Sequence, residues 1–275
     1  NEVAAWCGPL LQDGDSRKSG MKFLNRREWD QNVGKRVGEE AVKKAVELLN
    51  AKPIKSAKMP VVLDENIAPD FLAMYFRAFS AEVAQRGLSR LKGKLGKKIA
   101  VPELTLVDDP HRIGGKRSCF MDSEGFLTKK LPLIENGIFS NFLYHVESAR
   151  KENKISTGHA SRGYSGGINT RSHNLVCPTG EYSLSQLCAL EKKCLLVTEL
   201  EGQAGCDPVS GDISIGVQGF LIEKGRRVQP VDSVTIAGNF FEVLNNIRGY
   251  GNSYQPELTH LFIPALLIQK MNVSG

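Results

Sequence analysis

The run ISIGVQGFLIE, residues 213–223, alternates apolar with small or polar side chains, reverses at Lys224-Gly225 and returns as VQPVDSVTIAG, residues 228–238. Successive side chains on a strand point to opposite faces, so each arm reads as a strand with one buried side. A Gly at the reversal supplies the positive φ of a tight hairpin. A hairpin this long constrains everything around it. Its outer edges need further strands, and its apolar face needs a second layer.

The remaining sequence offers both. PELTLVDD (102–109) alternates like a strand, and VVLDE (61–65) and CLLVTEL (194–200) are short strands. KKLPLIENGIFSNFLYHV (129–146) sets Asn136-Gly137 between apolar runs, a strong local hairpin signal. LFIPALLIQKMNV (261–273) reads as one or two strands. Helices are expected at 28–50, with Trp29, Val33, Val37, Ala41, Val42, Ala45, Val46 and Leu49 on one stripe. A second is expected in DFLAMYFRAF (70–79), an apolar core helix with Leu72, Tyr75, Phe76 and Phe79 on one stripe and Arg77 opposite. Others are ESARKEN (147–153), SLSQLCALEKK (183–193) with a Ser183/Gln186 capping box, and FFEVLNNI (240–247) capped by Asn239. STGHASRGYSGG (156–167) and EGQAGCDPVSGD (201–212) are loops.

Hairpins and short connections favour antiparallel sheet over βαβ units. The fold class is therefore α+β, β-rich, with mostly antiparallel sheets and several helices. AKPIKSAKMP (51–60) has two prolines and no periodicity and reads as a linker. It separates residues 1–55, the end of a mixed α/β segment, from 56–275, a β-rich C-terminal domain. The 27 glycines suit a chain with many turns.

No apolar run approaches the length needed to cross a membrane. Six Cys without a C-x-x-C pair, and no secretory signal, point to a reducing, cytoplasmic setting. The first hundred residues carry 19 Lys and Arg against 12 Asp and Glu. In SRLKGKLGKK (89–98), however, Gly and Leu rather than aromatics separate the lysines, so the segment reads as a solvated loop or helix end rather than a nucleic-acid footprint. NEVAAWCGPLL reads like the interior of a longer protein, so a preceding part is expected.

No chemistry stands out from residue spacing. The five His are His111, His145, His159, His173 and His260, and no two lie three or four apart on a helix. Metal binding is left to a site assembled from residues distant in the chain, which spacing does not select. Ser156, Thr157 and His159 are close in STGHASRG, and Asp212 precedes Ser214. A hydroxyl near a His is one pattern for a nucleophile, but such hydroxyls more commonly satisfy their own loop. Asp122 and Glu124 in FMDSEG stand at strand spacing, facing one side, and suit acid/base work or a cation. More commonly such a pair forms a turn in which Asp122 accepts backbone N–H groups and Gly125 takes a positive φ. GGINTR and GQAGCD lack phosphate-loop spacing.

Six blocks in order carry a resemblance: DSEG (122–125), LIENGIFSNFL (133–143), SARKENKISTGHASR (148–162), LLVTEL (195–200), SGDISIGVQGFLIEKG (210–225) and VDSVTIAGNF (231–240). The chain resembles the TldD/PmbA family, from about residue 14 to its end, and specifically the PmbA/TldE type. The resemblance implies a family of cytoplasmic peptidases and partner subunits, an older label of DNA gyrase modulator, and an α/β N-terminal domain that this chain lacks. It implies that TldD-type and TldE-type chains pair around a cavity that admits unfolded peptide. TldD types carry a zinc-binding H-E-x-x-x-H helix and a late Cys. Aligned on QRG (85–87), the three motif positions fall here on Leu72, Ala73 and Arg77. Leu and Ala offer no lone pair, and Arg is a permanent cation. GYGNSYQPELTHLF (249–262) has no Cys, and no His occurs before residue 111.

The resemblance therefore implies a non-catalytic subunit that helps enclose extended peptide, with no metal of its own and zinc only in a TldD-like partner. Pairing with that partner or with a second copy is expected; a membrane and nucleic acid are not. Asp122, Glu124, Ser156, Thr157, His159, Arg162, Asp212 and Ser214 are the motif residues expected near the cavity. Arg77 is either a surface charge or a cavity-facing group for a peptide carboxylate. The alternatives are a hydrolase acting alone through STGHASRG and FMDSEG, and a gyrase-modulating or nucleic-acid-binding protein.

Overall fold

The computed structural model describes residues 2–28, 30–255 and 257–275; Trp29, assigned above to the helix stripe, lies outside them. Four short strands open the chain: β1 (Val3–Cys7), β2 (Leu10–Asp13), β3 (Ser16–Ser19) and β4 (Lys22–Arg26). β1 pairs with β4, and β2 with β3, both antiparallel. They carry no run of large apolar residues, so the sequence reading missed them. Helix α1 (Val33–Leu48) packs over them with Val33, Val37, Ala41, Ala45 and Leu48 buried. Val42 and Val46 are exposed, so the buried stripe is narrower than expected.

β5 (Ala57–Leu63) follows, with Met59, Val61, Val62 and Leu63 buried. The expected linker is thus shorter than 51–60, because its last four residues belong to this strand. Apolar burial on both faces, which period-2 reading does not register, places β5 at the centre of a sheet. Next come α2 (Ala68–Ala73), a 3-10 turn at Phe76–Phe79 and α3 (Ala81–Gln85). The expected single helix over 70–79 is therefore broken after Ala73. The cause is visible at Tyr75. Its ring stacks on Phe240 at 4.4 Å, and its hydroxyl donates to the Asp212 carbonyl at 2.9 Å. The backbone tightens to i→i−3 bonds on either side, Tyr75 N to Leu72 O and Ala78 N to Tyr75 O.

Then come β6 (Leu106–Asp108), β7 (Leu131–Glu135), β8 (Ile138–Phe139), α4 (Val146–Arg150), β9 (Ala160–Arg162), β10 (Ile168–Thr170) and β11 (Leu175–Val176). β7 and β8 form the expected hairpin, with φ of 49° at Asn136 and 78° at Gly137. Helix α5 (Leu184–Ala189) has its Ser183/Gln186 capping box and ends sooner than expected. β12 (Lys193–Glu201), β13 (Asp212–Glu223) and β14 (Arg226–Asn239) follow, then α6 (Phe240–Val243), β15 (Ile247–Tyr250), β16 (Leu261–Phe262) and β17 (Leu266–Ser274). Lys224 and Gly225 turn the β13–β14 hairpin with φ of 51° and 75°.

The main sheet runs β14-β13-β12-β5-β17-β15, and β14 also pairs with β17, so five strands close into a ring. Closure removes the free edges that the long hairpin would otherwise leave. All these pairings are antiparallel except β12 with β5. Alternation sorts the side chains. Val61, Leu63, Leu195, Val197, Ile213, Ile215 and Ile268 join the main core. Val62, Cys194, Leu196 and Leu267 face the other way, where Leu187, Cys188 and Leu48 cover them. A second sheet, β16-β11-β6-β7-β8, packs into the main core through Leu106, Leu133, Ile134 and Leu175, with β11 and β16 parallel. The β-rich α+β class stands; the two parallel pairings come from long-range returns of the chain that no local pattern marks.

Candidate functional site

Two features draw on residues far apart in sequence: a groove beside α2 and a buried polar hub beneath the second sheet.

The groove, of about 510 Å³, runs between Ile67 just before α2, Asp70 on α2, Thr198–Leu200 on β12, Lys22 and Phe23 on β4, and Leu258–Leu261. Its β-edge comes from the ring itself. β5 pairs with β12 only at Leu195–Val197, whereas β12 continues to Glu201 alongside β13. Beyond Val197, among the described residues, no strand pairs on the β5 side of β12. The groove also desolvates its ionisable groups. Burial pushes the Asp70 and Glu199 carboxyls above the usual range, with Lys44 opposing at Glu199. Burial, then the charges of Arg117, Lys116 and Arg171, push His260 down to about 4, so its imidazole is neutral near pH 7. The site can therefore take an extended chain along a strand edge, beside the neutral His260 and two carboxyls whose charged forms burial disfavours.

The hub centres on Asp108 at the end of β6. Its Oδ2 accepts from His159 Nε2 at 2.6 Å and His173 Nδ1 at 2.9 Å, and its Oδ1 accepts from the His173 backbone N–H at 2.9 Å. His159 Nδ1 meets Thr157 Oγ1 at 2.8 Å. Asp108 and His159 are fully buried and His173 nearly so. Burial opposes the charge on Asp108, but the hydrogen bonds and charges of the two His outweigh it and hold the carboxyl below its usual range. Sheet pairing brings these residues together: Leu175 lies opposite Asp108, and the Arg171 N–H donates to the His159 carbonyl. Separations of 51 and 65 residues gave the sequence reading nothing to find.

The expected motif residues fall into two groups. Asp122, Glu124, Ser156, Thr157, His159 and Arg162 come together. Asp122 sits in a turn, not a strand, with Gly125 at φ 81°. Its oxygens accept from the N–H groups of Glu124, Phe126 and Ala160 at 2.9–3.0 Å. This is the turn reading of the pair rather than a shared strand face, and Glu124 accepts from Val146 N–H at the start of α4. Ser156 accepts from Gly158 N–H, and the Arg162 N–H donates to Ser123 Oγ. Asp212 and Ser214 lie apart from these, on β13 of the ring. The Asp212 carboxyl is held low by Ser210 and Asn239.

At the family's zinc positions, Leu72 is 3% exposed within the main core, Ala73 is half-buried at the end of α2, and Arg77 is exposed on the 3-10 turn. None lines the groove. These residues do not fit a zinc ion. The hub is different. Asp108, His159 and His173 present ligand atoms within 4.8 Å of one another, a donor set that zinc or iron accepts. That sits uneasily with the expectation of no metal on this chain, although each of these atoms already engages a hydrogen-bond partner.

The comparisons agree with this architecture. Residues 56–275 match the family model described as the PmbA/TldA metallopeptidase C-terminal domain. The chain belongs to the PmbA/TldD family. It is 30% identical over 269 residues to metalloprotease PmbA of Escherichia coli O157:H7, covering 98% of this chain and 57% of that one. It is 31% identical over 263 residues to a PmbA homologue of Haemophilus influenzae, covering 95% and 56%. Among solved structures, a Thermotoga maritima protein labelled a DNA gyrase modulator superposes with a TM-score of 0.89 at 31% identity, covering 98% of this chain and 62% of that one. TldE from Thermococcus kodakarensis superposes at 0.86 and 28% identity, covering 100% and 63%. The chain thus spans little more than half the length of the curated relatives. Among the described residues, no helix is long and apolar enough to cross a membrane.

Proposed function

We propose that this PmbA/TldD-family chain is a TldE-type, non-catalytic subunit that pairs with a TldD-like zinc metallopeptidase in the cytoplasm and holds extended peptide for it. The observation that carries the reading is the pair of environments at the family's zinc positions. Leu72 and Ala73 are packed on a helix that stops at Ala73, and Arg77 belongs to a separate turn exposed to solvent. The unpaired edge of β12 beyond Val197 supports a grip through backbone hydrogen bonds, which tolerates any peptide sequence. Burial disfavours charge on Asp70, Glu199 and His260 in the groove, which suits an uncharged peptide backbone.

The test is cleavage of an unfolded protein by the purified chain, by a TldD-like partner, and by the two together. Cleavage only with the partner, abolished by a chelator, is expected. Chelator-sensitive cleavage by the chain alone would overturn the reading. Zinc is assayed in parallel on wild type and Asp108→Asn. Metal that Asp108→Asn loses, without unaided cleavage, assigns the hub as a structural site.

A further inference from the structure

We propose that a second pocket, adjoining the groove at Lys116, binds the terminal carboxylate of the peptide. This rests on the peptide-holding function proposed above.

The pocket has a volume of about 360 Å³, and its walls include Lys116, Arg117, Arg171, Ser123 and His173. Lys116 also lines the groove, so the two cavities meet there. Its charges are unbalanced. Lys116 pairs with Glu2 at 2.6 Å, but among the described residues no carboxylate lies within ion-pair distance of Arg117 or Arg171. Among the described residues the Arg117 guanidinium has one neutral partner, the Ser172 carbonyl at 3.4 Å. The nearby acids are already engaged: Asp122 by three backbone N–H groups, and Asp108 by two histidines.

Arg117 and Arg171 stand close enough to feel each other. Burial first, and then the Arg171 charge, push Arg117 down to about 10 against the opposing charge of Asp108, and both arginines also depress His260 across the boundary with the groove. Asp122 also lines the pocket, but neither it nor Asp108 is in ion-pair contact with the two guanidiniums, which leaves donors that a bidentate oxyanion can take. Ser123 accepts from Arg162 N–H and, among the described residues, has no acceptor for its own proton, leaving a hydroxyl donor beside the cations. The occupant follows from continuity. A chain lying along the β12 edge toward Thr259 and His260 reaches Lys116, and the one anionic group every peptide carries in its backbone is its C-terminal carboxylate. The pocket is larger than a lone carboxylate and has space for the terminal residue.

The test measures binding of a short unstructured peptide, as the free acid and as the C-terminal amide, to the complex with a TldD-like partner held inactive by a chelator. Wild type is expected to bind the acid about tenfold more tightly. Arg171 is exposed, so Arg171→Gln leaves the fold intact; it should bind both forms as wild type binds the amide, with part of the preference kept by Arg171→Lys. Equal binding of acid and amide by wild type would overturn the carboxylate site and leave the peptide-holding function standing. A preference undiminished in Arg171→Gln would overturn it by placing the recognition elsewhere. Binding of neither form would overturn both.

Discussion

One carboxylate oxygen of Asp108 holds two imidazoles, His159 Nε2 at 2.6 Å and His173 Nδ1 at 2.9 Å. This single contact ties β6, the loop before β9 and the entry to β11 into one unit. Removing one partner of a buried charged network leaves the others unpaired, which commonly costs about 3–5 kcal/mol. Asp108→Asn should therefore lower unfolding free energy by roughly that amount, measured by denaturant titration. The Asp108 carboxyl is held below its unfolded value, so its contribution is present above about pH 4 and lost as pH falls through the lower folded value. The variant should flatten the acid limb of the stability profile.

Asp64, between β5 and α2, carries the opposite sign. Burial, then Glu65, raise its carboxyl to about 6, although Asn66 and Ile67 N–H groups donate to it. The unfolded carboxyl releases its proton first as pH rises, so stability is lost between about pH 4 and pH 6. Asn keeps the accepting oxygen without the charge. Asp64→Asn should gain on the order of 2 kcal/mol at pH 7 and lose the slope in that window, read from melts at stepped pH.

Gly137 and Gly125 both have positive φ, at 78° and 81°, but different surroundings. A Cβ at Gly137 would meet the Ala100 and Val101 carbonyls at 2.6 and 2.7 Å, whereas Gly125 has open space. Gly125→Ala should cost about 1 kcal/mol from conformation alone. Gly137→Ala should cost about 3 kcal/mol or more, since backbone must move as well. Equal losses would show that the β7–β8 turn is not seated against residues 100–101.

If the β12 edge holds peptide, affinity resides in backbone amides. N-methylating an amide that faces β12 should weaken binding about fivefold, while reordering the peptide's side chains changes it little. The measurement is titration of such peptides against the complex with a TldD-like partner. Sensitivity to side-chain order with indifference to N-methylation would argue against strand pairing.

The sequence by itself determined the elements whose signals are local. The 213–238 hairpin, the Asn136-Gly137 turn and the Ser183/Gln186 cap follow from period-2 alternation, positive-φ residues and capping chemistry, which act over a few residues. It also determined that Leu72, Ala73 and Arg77 cannot ligate zinc, because side-chain chemistry does not depend on the fold. Tertiary structure decided the rest. It closed the ring through β14 and β17, and it broke the 70–79 helix because Tyr75 is anchored to Phe240 and Asp212. It brought Asp108 to His159 and His173, and Arg117 to Arg171, across intervals with no period. Contacts between distant residues depend on how the whole chain buries its apolar faces, so they leave no mark in any short window of sequence.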